Sequence, residues 1–426
     1  MADSATTFSV LSNDAPNVWI ADQMYRLAER NLRLGKYATK YQVPQRMGKT
    51  LRIVRYKRLN LPTATLTEGT APDAVALSTE NVDVTLEQWG IVVLLTDVAE
   101  ITTKHPALQI AINRTALAIS EVLEREMAEM LLAGTSVYYP GTATTRATIG
   151  ANDKLDTATV LKATVSLRNK GAAESEGGLF SGVIPAQAEG DILSSDQTFK
   201  YASNFANVRK LEFGEIGVWM GVRWARSNFL PIFKGVAAPG TQAALVAGFT
   251  QAGSGGALDG TLVTVVGRDV TTDYERIVSQ TKTIADTDAS VTCTTPTSTN
   301  YVYDIYMTDT AGANSKVVFE RVAANTAKTL TAAIYTAGTS QSAPAIPASG
   351  REVFTSFITG VDGYGRVELN GMSLASYITP AGASYSNPLA QGRKVGTKIM
   401  WKSFIIDNNY FARVEAASAF SAELPA

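Results

Sequence analysis

The chain has very little of the residues on which metal binding, disulfide formation and acid–base catalysis depend. Its 426 residues include one cysteine, Cys293, and one histidine, His105. A single cysteine excludes an intrachain disulfide, and one cysteine with one histidine cannot assemble a zinc site. The N-terminus lacks the basic start and apolar run of a signal peptide. We therefore expect a protein made in the cytosol, with no disulfide and no zinc site. We also expect no cofactor, no other metal and no catalytic site.

Charge and long apolar runs are scarce as well. Charged residues make up 18% of the chain, the formal net charge is −1 and the sequence pI is about 6.1. Such a balance gives no global positive field that would attract nucleic acid or an anionic membrane. In the first strand-rich region the longest apolar run is residues 91–95, far below the roughly 20 residues that a membrane-spanning helix needs. The low charged fraction has two explanations: much of the surface is buried against something else, or threonine and serine supply the missing polarity.

A change in composition divides the sequence. The length favours two domains, and residues 236–349 contain 21 threonines but none of the five tryptophans. Glycine, serine and proline cluster at both flanks. The short alternating runs inside this region predict an antiparallel, immunoglobulin-like sandwich, inserted as residues 240–347. These runs are residues 262–266, 274–279, 301–307, 316–322 and 330–335.

Helical periodicity is strongest after His105. Apolar residues recur at steps of three and four over residues 108–130, with no glycine or proline before Gly134. This pattern predicts a helix on the order of 40 Å long. Further helices are expected at residues 16–34, 156–170 and 194–208, the second capped by Asp156 or Thr157, and a strand is expected at residues 218–225.

The alternation of side chains in residues 46–96, interrupted by a turn, predicts a long hairpin-like arm with its tip at residues 67–72. Its first limb is basic and its return limb is acidic. Three interpretations stay open for this segregation: pairing within the hairpin, pairing between subunits, and contact with nucleic acid. Because isolated two-stranded hairpins are marginally stable in water, we expect neighbouring subunits to stabilise the arm and the arm to contribute little to its own subunit's core.

Two other motifs carry no function. Gly48-Lys49-Thr50 matches the end of a phosphate-binding loop, but Val43 stands where that loop needs its first glycine. The histidine, His105, precedes a proline at the expected helix entry, which favours a structural or loop role over a catalytic one.

Several segments, in their order along the chain, resemble the major capsid protein family of short-tailed bacteriophages. They are the Thr67–Pro72 tip, Thr96-Asp97 with the long helix, residues 214–223, Asn387-Pro388-Leu389 and residues 392–415. The resemblance implies an α+β fold of the Hong Kong 97 type, with an inserted immunoglobulin-like β-domain. Its parts would be an N-terminal arm (1–45), an extended loop (46–96), a core of spine-helix peripheral domain and axial domain (97–235 and 350–426), and the insertion (240–347).

The same resemblance implies a structural role. Copies of the chain would form hexamers and pentamers of an icosahedral shell around double-stranded DNA, with the insertion on the outer surface. Gly35, Gly48 and Gly134 lie near element ends where hinges are expected. The expected assembly interface consists of Arg52, Arg55, Lys57, Arg58, Glu68, Gly69, Thr70, Pro72, Glu80, Asp83 and Glu87.

The implied partners are other copies of the chain, separate scaffolding and portal proteins, packaged DNA contacted non-specifically, and a glycan or host surface touched by the insertion. The implied location is the virion, after synthesis in the host cytoplasm. Two alternatives remain. One is an encapsulin-like bacterial shell protein, and the other is a carbohydrate-binding or carbohydrate-degrading protein, which the absence of tryptophan from the sandwich disfavours.

Overall fold

The structure is a computed structural model that describes most of the chain in segments. The described residues are 33–56, 59, 65, 75–102, 107–175, 177–195, 215–235, 249–252, 258, 260–270, 276–284, 290–296, 301–309, 314–345, 347, 351–370, 375–379 and 391–420. They form two compact units. Unit 1 draws its described residues from Ala38–Ser120 and Tyr364–Ile406, and unit 2 draws its own from Leu27–Tyr37, Glu121–Gly363 and Asp407–Ala426.

Helices and strands alternate irregularly along the described segments. The helices are α1 (Leu34–Tyr37), α2 (Asp97–Thr102), α3 (Ala107–Leu132), α4 (Thr157–Asn169), α5 (Ala186–Ser195) and α6 (Ala332–Ala337). The strands up to the predicted insertion are β1 (Thr39–Val43), β2 (Thr50–Tyr56), β3 (Thr79–Thr85), β4 (Glu87–Leu95), β5 (Val137–Tyr138), β6 (Phe180–Ile184), β7 (Glu215–Trp219), β8 (Val222–Arg226) and β9 (Ile232–Gly235).

The remaining strands lie in the predicted insertion and after it. Within the insertion they are β10 (Phe249–Ala252), β11 (Leu262–Asp269), β12 (Arg276–Thr283), β13 (Ser290–Thr294), β14 (Tyr301–Thr308), β15 (Ser315–Val322), β16 (Ala327–Thr331) and β17 (Thr339–Ser340). After it they are β18 (Glu352–Thr359), β19 (Tyr364–Leu369), β20 (Ala375–Thr379), β21 (Arg393–Ile405) and β22 (Phe411–Ala416).

Strand β21 is the centre of the unit 1 sheet. It pairs antiparallel with β4, from Arg393 opposite Leu95 to Trp401 opposite Glu87. Along its other edge it pairs with β20 and β19, and β1 lies parallel to β19. Every second residue of β21 from Val395 to Trp401 is buried, as the alternation of side chains across a strand requires. One side of β21 is therefore buried over these residues.

Helix α3 confirms the strongest helix prediction. It runs for 26 residues from unit 1 into unit 2. In unit 1, Ala111 packs with Leu95 and Val395, and the hydroxyl oxygens of Thr115 and Thr397 lie 2.9 Å apart in a buried hydrogen bond. The first turns of the helix thus cover the buried face of the sheet.

Unit 2 is built on a large mixed sheet. The order of its described strands is β17-β15-β14-β11-β12-β9-β18-β6-β8-β7, with β22 beside β18 and β5 beside β22. Helix α4 confirms the helix predicted at residues 156–170, and the Asp156 side chain caps it by accepting the N–H of Thr159 at 2.9 Å. Val160 and Leu167 of α4 are completely buried in a cluster that includes Trp224.

Other expectations for unit 2 need correction or lie outside the described residues. The single strand expected at residues 218–225 is a hairpin of β7 and β8, which turns at Met220 (φ +52°) and Gly221 (φ +76°). Of the helix expected at residues 194–208, only the first two residues are described, and they end α5, a helix that the sequence reading missed. The helix expected at residues 16–34 and the tip at residues 67–72 lie outside the described residues, apart from Arg33 and Leu34 at the end of the first.

Most strands predicted for the insertion are present, and they form two sheets. Strands β11, β12, β14 and β15 belong to the large sheet, while β10, β13 and β16 form a second one. Cys293, Ile305 and Leu330 are buried together in the same apolar cluster. The strand expected at residues 330–335 ends at Thr331, because the Thr331 side chain accepts the N–H of Ile334 and caps helix α6.

The large sheet runs without a break from the predicted insertion into its flanks. Strand β12 pairs in parallel with β9, with Arg276 opposite Ile232 and Ser279 opposite Gly235. Strand β9 in turn pairs antiparallel with β18. Backbone hydrogen bonds therefore join residues on both sides of the boundary predicted at residue 240. Strand pairing does not mark the predicted boundaries of the insertion, and these boundaries stay a prediction.

Candidate assembly surface

The arm predicted at residues 46–96 begins with a two-stranded sheet of β2 and β3. Thr50 faces Thr85 at one end and Tyr56 faces Thr79 at the other. The strands form because β-branched residues alternate with charged ones, the pattern of a pleated sheet with one apolar face. The hairpin and its register follow the alternation in the sequence, so this part of the extended loop is as expected.

Two exposed ion pairs cross the hairpin. Arg52 donates from Nε and Nη2 to the two carboxylate oxygens of Asp83, at 2.6 and 2.7 Å. Arg55 donates from Nη2 to Glu80 at 2.9 Å. Each pair joins residues directly opposite in the register. The hydrogen bond from the Arg52 guanidinium lowers the pKa of the Asp83 carboxyl.

These contacts bear on the three interpretations of the charge segregation. Arg52, Arg55, Glu80 and Asp83 pair within the hairpin, which is the first interpretation, and their charges cancel locally. Roles for the same residues between subunits stay a prediction. The last acidic residue of the set, Glu87, accepts from Lys402 at 2.8 Å across β4 and β21. The remaining members of the expected interface lie outside the described residues: Lys57, Arg58, Glu68, Gly69, Thr70 and Pro72.

The base of the arm belongs to the core of unit 1. Val84 and Leu86 are buried in one cluster with Val367 and Phe404 of the central sheet. Strand β4, the end of the predicted arm, is paired along its length with β21. The expectation that residues 46–96 contribute little to the core is therefore wrong for residues 84–95. Local alternation gave no sign of this, because the partner strand lies about 300 residues away in the sequence.

The outer part of the arm is apolar and exposed. Val54 and Tyr56 at the end of β2 are 50% and 70% exposed, and Val75 and Leu77 before β3 are 71% and 67% exposed. Exposed large apolar side chains of this kind are typical of protein–protein contacts. We call these four residues the arm patch.

A second exposed surface lies on the central sheet. Gly396 of β21 faces Val92 of β4 on one side and Tyr377 of β20 on the other. Residues directly opposite share a face, and here Val92 is 65% and Tyr377 is 49% exposed. Gly90 lies opposite Lys398, whose Nζ is 4.8 Å from the centre of the Tyr377 ring. We call this surface the flat face, because Gly396 has no side chain between Val92 and Tyr377 and Gly90 has none beside Val92.

The sequence reading did not find the flat face. It continues the side of β21 that carries Met400 and Phe404, which the base of the arm covers. The local signal in the sequence is a glycine two residues before Val92 and another two residues before Lys398. This spacing indicates a shared face only when the register between β4 and β21 is known.

Unit 2 contains a buried arginine–glutamate cluster. Glu415 accepts from Nε and Nη2 of Arg146 at 2.8 and 2.6 Å, and Nε of Arg413 lies 2.8 Å from the same carboxylate. Arg413 also donates to the carbonyl of Leu132 at the end of α3. Arg146 donates to the carbonyl of Ala345 at 2.9 Å. The cluster thus joins the end of the long helix to the segment that leaves the predicted insertion.

A cavity of about 500 Å³ lies beside this cluster. Its lining includes Arg146, Arg413, Arg268 and Glu129, together with aromatic side chains. Ion pairs with Glu415, Glu129 and Asp304 engage all three guanidinium groups. In the described part of the chain, no three His, Cys, Asp or Glu residues are placed to hold a metal ion. The charged side chains that line the cavity therefore connect structural elements to one another.

The lone histidine, His105, lies outside the described residues. Among the described helices, none is long and apolar enough to cross a membrane. At Gly134, where a hinge is expected, a Cβ atom would lie 2.0 Å from Cζ of the buried Phe411. The hinge itself stays a prediction.

Comparison with known proteins adds to this geometry. No protein-family model and no curated protein matches the sequence. Solved structures do match. The capsid structure of the cyanophage P-SCSP1u aligns with a TM-score of 0.52 at 14% identity, over 96% of this chain and 94% of that one. The capsid of Ralstonia phage GP4 aligns with a TM-score of 0.52 at 10% identity, over 99% and 100% of the two chains.

A third structure, the capsid asymmetric unit of cyanophage Pam1, gives a TM-score of 0.51 at 12% identity, over 99% and 100% of the two chains. The fold is that of a phage capsid protein. This confirms the sequence resemblance at the level of the fold and accounts for its combination of helices and strands. The boundaries and the fold of the predicted insertion stay a prediction.

Proposed function

We propose that the chain is a major capsid protein that self-assembles into hexamers and pentamers of an icosahedral shell around double-stranded DNA. The observation that carries the proposal is the capsid fold, which aligns over 96% of the chain or more with three phage capsid proteins. The exposed arm patch and the flat face supply two surfaces suited to contacts between copies. In this proposal the protein is structural, has no enzymatic activity and resides in the virion.

Within that fold we assign the parts by analogy with the Hong Kong 97 type. Helix α3 is the spine of the peripheral domain, residues 46–96 are the extended loop and residues 1–45 are the N-terminal arm. The length of α3 and the position of the β2–β3 hairpin before it support this assignment.

We further propose that the arm patch of one copy lies on the flat face of a neighbouring copy. A surface without Cβ atoms at Gly90 and Gly396 allows another backbone to approach closely. The exposed Val92 and Tyr377 provide apolar area for Val54 and Tyr56 of the neighbour. The ion pairs Arg52–Asp83 and Arg55–Glu80 keep the hairpin rigid, which reduces the entropy lost on docking.

We propose that residues 240–347 form an immunoglobulin-like domain on the outer surface of the shell. Its two sheets around one apolar cluster support the sandwich. Its many threonines suit solvated strands, and a glycan or a host surface is the partner that we propose for it by analogy. Antibody raised against this segment should decorate intact, DNA-filled heads. Failure to bind heads in which the epitope is folded would overturn the outer placement.

Electron microscopy of the purified protein, with analysis of nucleic acid in the particles, tests the central proposal. We expect closed icosahedral shells when the chain is produced with its scaffolding protein, and DNA inside particles isolated from infected cells. Shells that enclose enzymes in place of DNA would favour the encapsulin-like alternative. A subunit that never assembles and binds polysaccharide would favour the carbohydrate-binding alternative.

A further inference from the structure

Helix α3 carries a buried carboxylate that none of the surfaces above uses. Glu124 is 2% exposed, although glutamate is almost never fully buried unless it is paired. Its Oε1 accepts the backbone N–H groups of Arg33 and Leu34 at 2.5 and 2.6 Å, and its Oε2 accepts that of Gly35 at 3.2 Å. One side chain therefore binds three consecutive amides that lie about 90 residues earlier in the sequence.

The segment that Glu124 binds, residues 33–37, leads into strand β1. Leu34 is 1% exposed and starts the short helix α1, and β1 follows at Thr39. Hydrogen bonds from amides to a charged acceptor are stronger than neutral ones. Removing the acceptor would take these hydrogen bonds away from a segment whose Leu34 is buried, which is costly. The position of residues 33–37 thus depends strongly on Glu124.

We propose that Glu124 is a latch that holds residues 33–37 on unit 2, and that opening of the latch releases this segment while the rest of the unit stays folded. The inference concerns the isolated subunit and does not depend on the proposed shell. The latch binds backbone groups, so its partner is defined by the position of the chain and not by the side chains of residues 33–35.

Burial and the held segment act in opposite directions on the pKa of Glu124. Loss of hydration raises this pKa, and the hydrogen bonds from the three N–H groups and the charge of Arg33 lower it. The held segment is thus the part of the surroundings that favours the charged carboxylate.

Hydrogen exchange on the full-length subunit tests the latch. In Glu124→Ala, amides 33–35 should exchange at least about tenfold faster than in the wild type, because all three hydrogen bonds are lost. In Glu124→Gln the acceleration should be smaller, since the amide oxygen still accepts from Arg33 and Leu34. Exchange in β18 and β21 should stay unchanged.

Glu126→Gln is the matched control, with the same charge change on the same helix at a residue whose ion pair is with Arg125. It should leave exchange at residues 33–35 as in the wild type. Equal protection of residues 33–35 in all variants would overturn the latch. If Glu124→Ala accelerates exchange throughout the chain, Glu124→Gln decides: local acceleration supports the latch, and either global acceleration or no change overturns it.

Discussion

Arg268 of strand β11 donates from Nη1 to Glu129 of helix α3 at 2.9 Å, and its Nε lies 2.6 Å from Asp304 of β14. The three residues lie in unit 2, where they tie the first strands of the predicted insertion to the long helix. Asp304 also accepts the N–H of Arg321 at 2.8 Å. The insertion is thus attached through charged side chains as well as through the pairing of β9 with β12.

This attachment predicts a large effect of one substitution. Arg268→Met removes the charge but keeps most of the volume, and it leaves Asp304, which is 5% exposed, without its cation. We expect a loss of roughly 3–5 kcal/mol in the free energy of unfolding, as for other buried pairs that lose one member. Urea denaturation measures it. The control is Arg223→Met, at an exposed position of β8. An equal loss of unfolding free energy in this control would contradict a particular contribution of the buried ion pairs to stability.

The pKa of Asp83 provides a test of the hairpin. Because the Arg52 guanidinium lowers this pKa, the ion pair stabilises the hairpin above the unfolded-state pKa of Asp83, and this contribution disappears as the pH falls through the lower folded-state pKa. In a carboxyl-resolved NMR titration we expect the midpoint of Asp83 to lie below that of an ordinary aspartate. Arg52→Gln should return it to the ordinary range. A wild-type midpoint at the ordinary value would contradict the pairing in solution.

Gly134 gives a prediction about packing. A Cβ atom at this position would meet the ring of Phe411, with Cζ at 2.0 Å and Cε2 at 2.4 Å. Gly134→Ala should therefore lower the free energy of unfolding by about 1–3 kcal/mol, as overpacked cores do. Thermal denaturation with a control variant, Gly90→Ala, checks this, because a Cβ at Gly90 lies an ordinary 3.4 Å from Lys398. A hinge at Gly134 would instead tolerate alanine with little loss.

Shortening the arm separates assembly from folding. Deletion of residues 60–78 leaves β2 and β3 with their paired residues and leaves Val84 and Leu86 in the core. Under the proposed function we expect a folded subunit with a nearly unchanged melting temperature that makes no closed shells. Electron microscopy and calorimetry measure the two outcomes. Normal shells from the deletion variant would refute the role of the arm.

We expect a substitution on the flat face to impair assembly and leave the stability of the subunit unchanged, whereas Gly134→Ala should lower that stability. Gly90→Val adds a side chain to an exposed strand position, so the isolated subunit should keep its stability. The same side chain would lift a neighbouring arm away from the sheet and should reduce the yield of shells at least tenfold. Shell assembly at wild-type yield would remove the flat face from the proposed interface, while Gly90→Ala serves as the milder member of the pair.

Local pattern in the sequence was sufficient for elements that a short stretch of chain determines. The periodicity of α3, the Asp156 cap of α4 and the alternation in β2 and β3 all reappear in the structure. The ordered segments also predicted the capsid fold, which the solved phage capsids confirm. Each of these features depends on neighbours in sequence, or on a resemblance spread over many residues.

Tertiary structure alone decided the features that depend on distant partners. Strand β4 belongs to the unit 1 sheet because β21, about 300 residues later, pairs with it. The flat face exists only in that register, and Glu124 is buried because it meets the amides of residues 33–35. At Gly134 the ring of Phe411 occupies the space that a Cβ atom would need, a contact that the sequence does not show. A sequence shows which side chains are present, but the pairing of distant strands determines which of them meet.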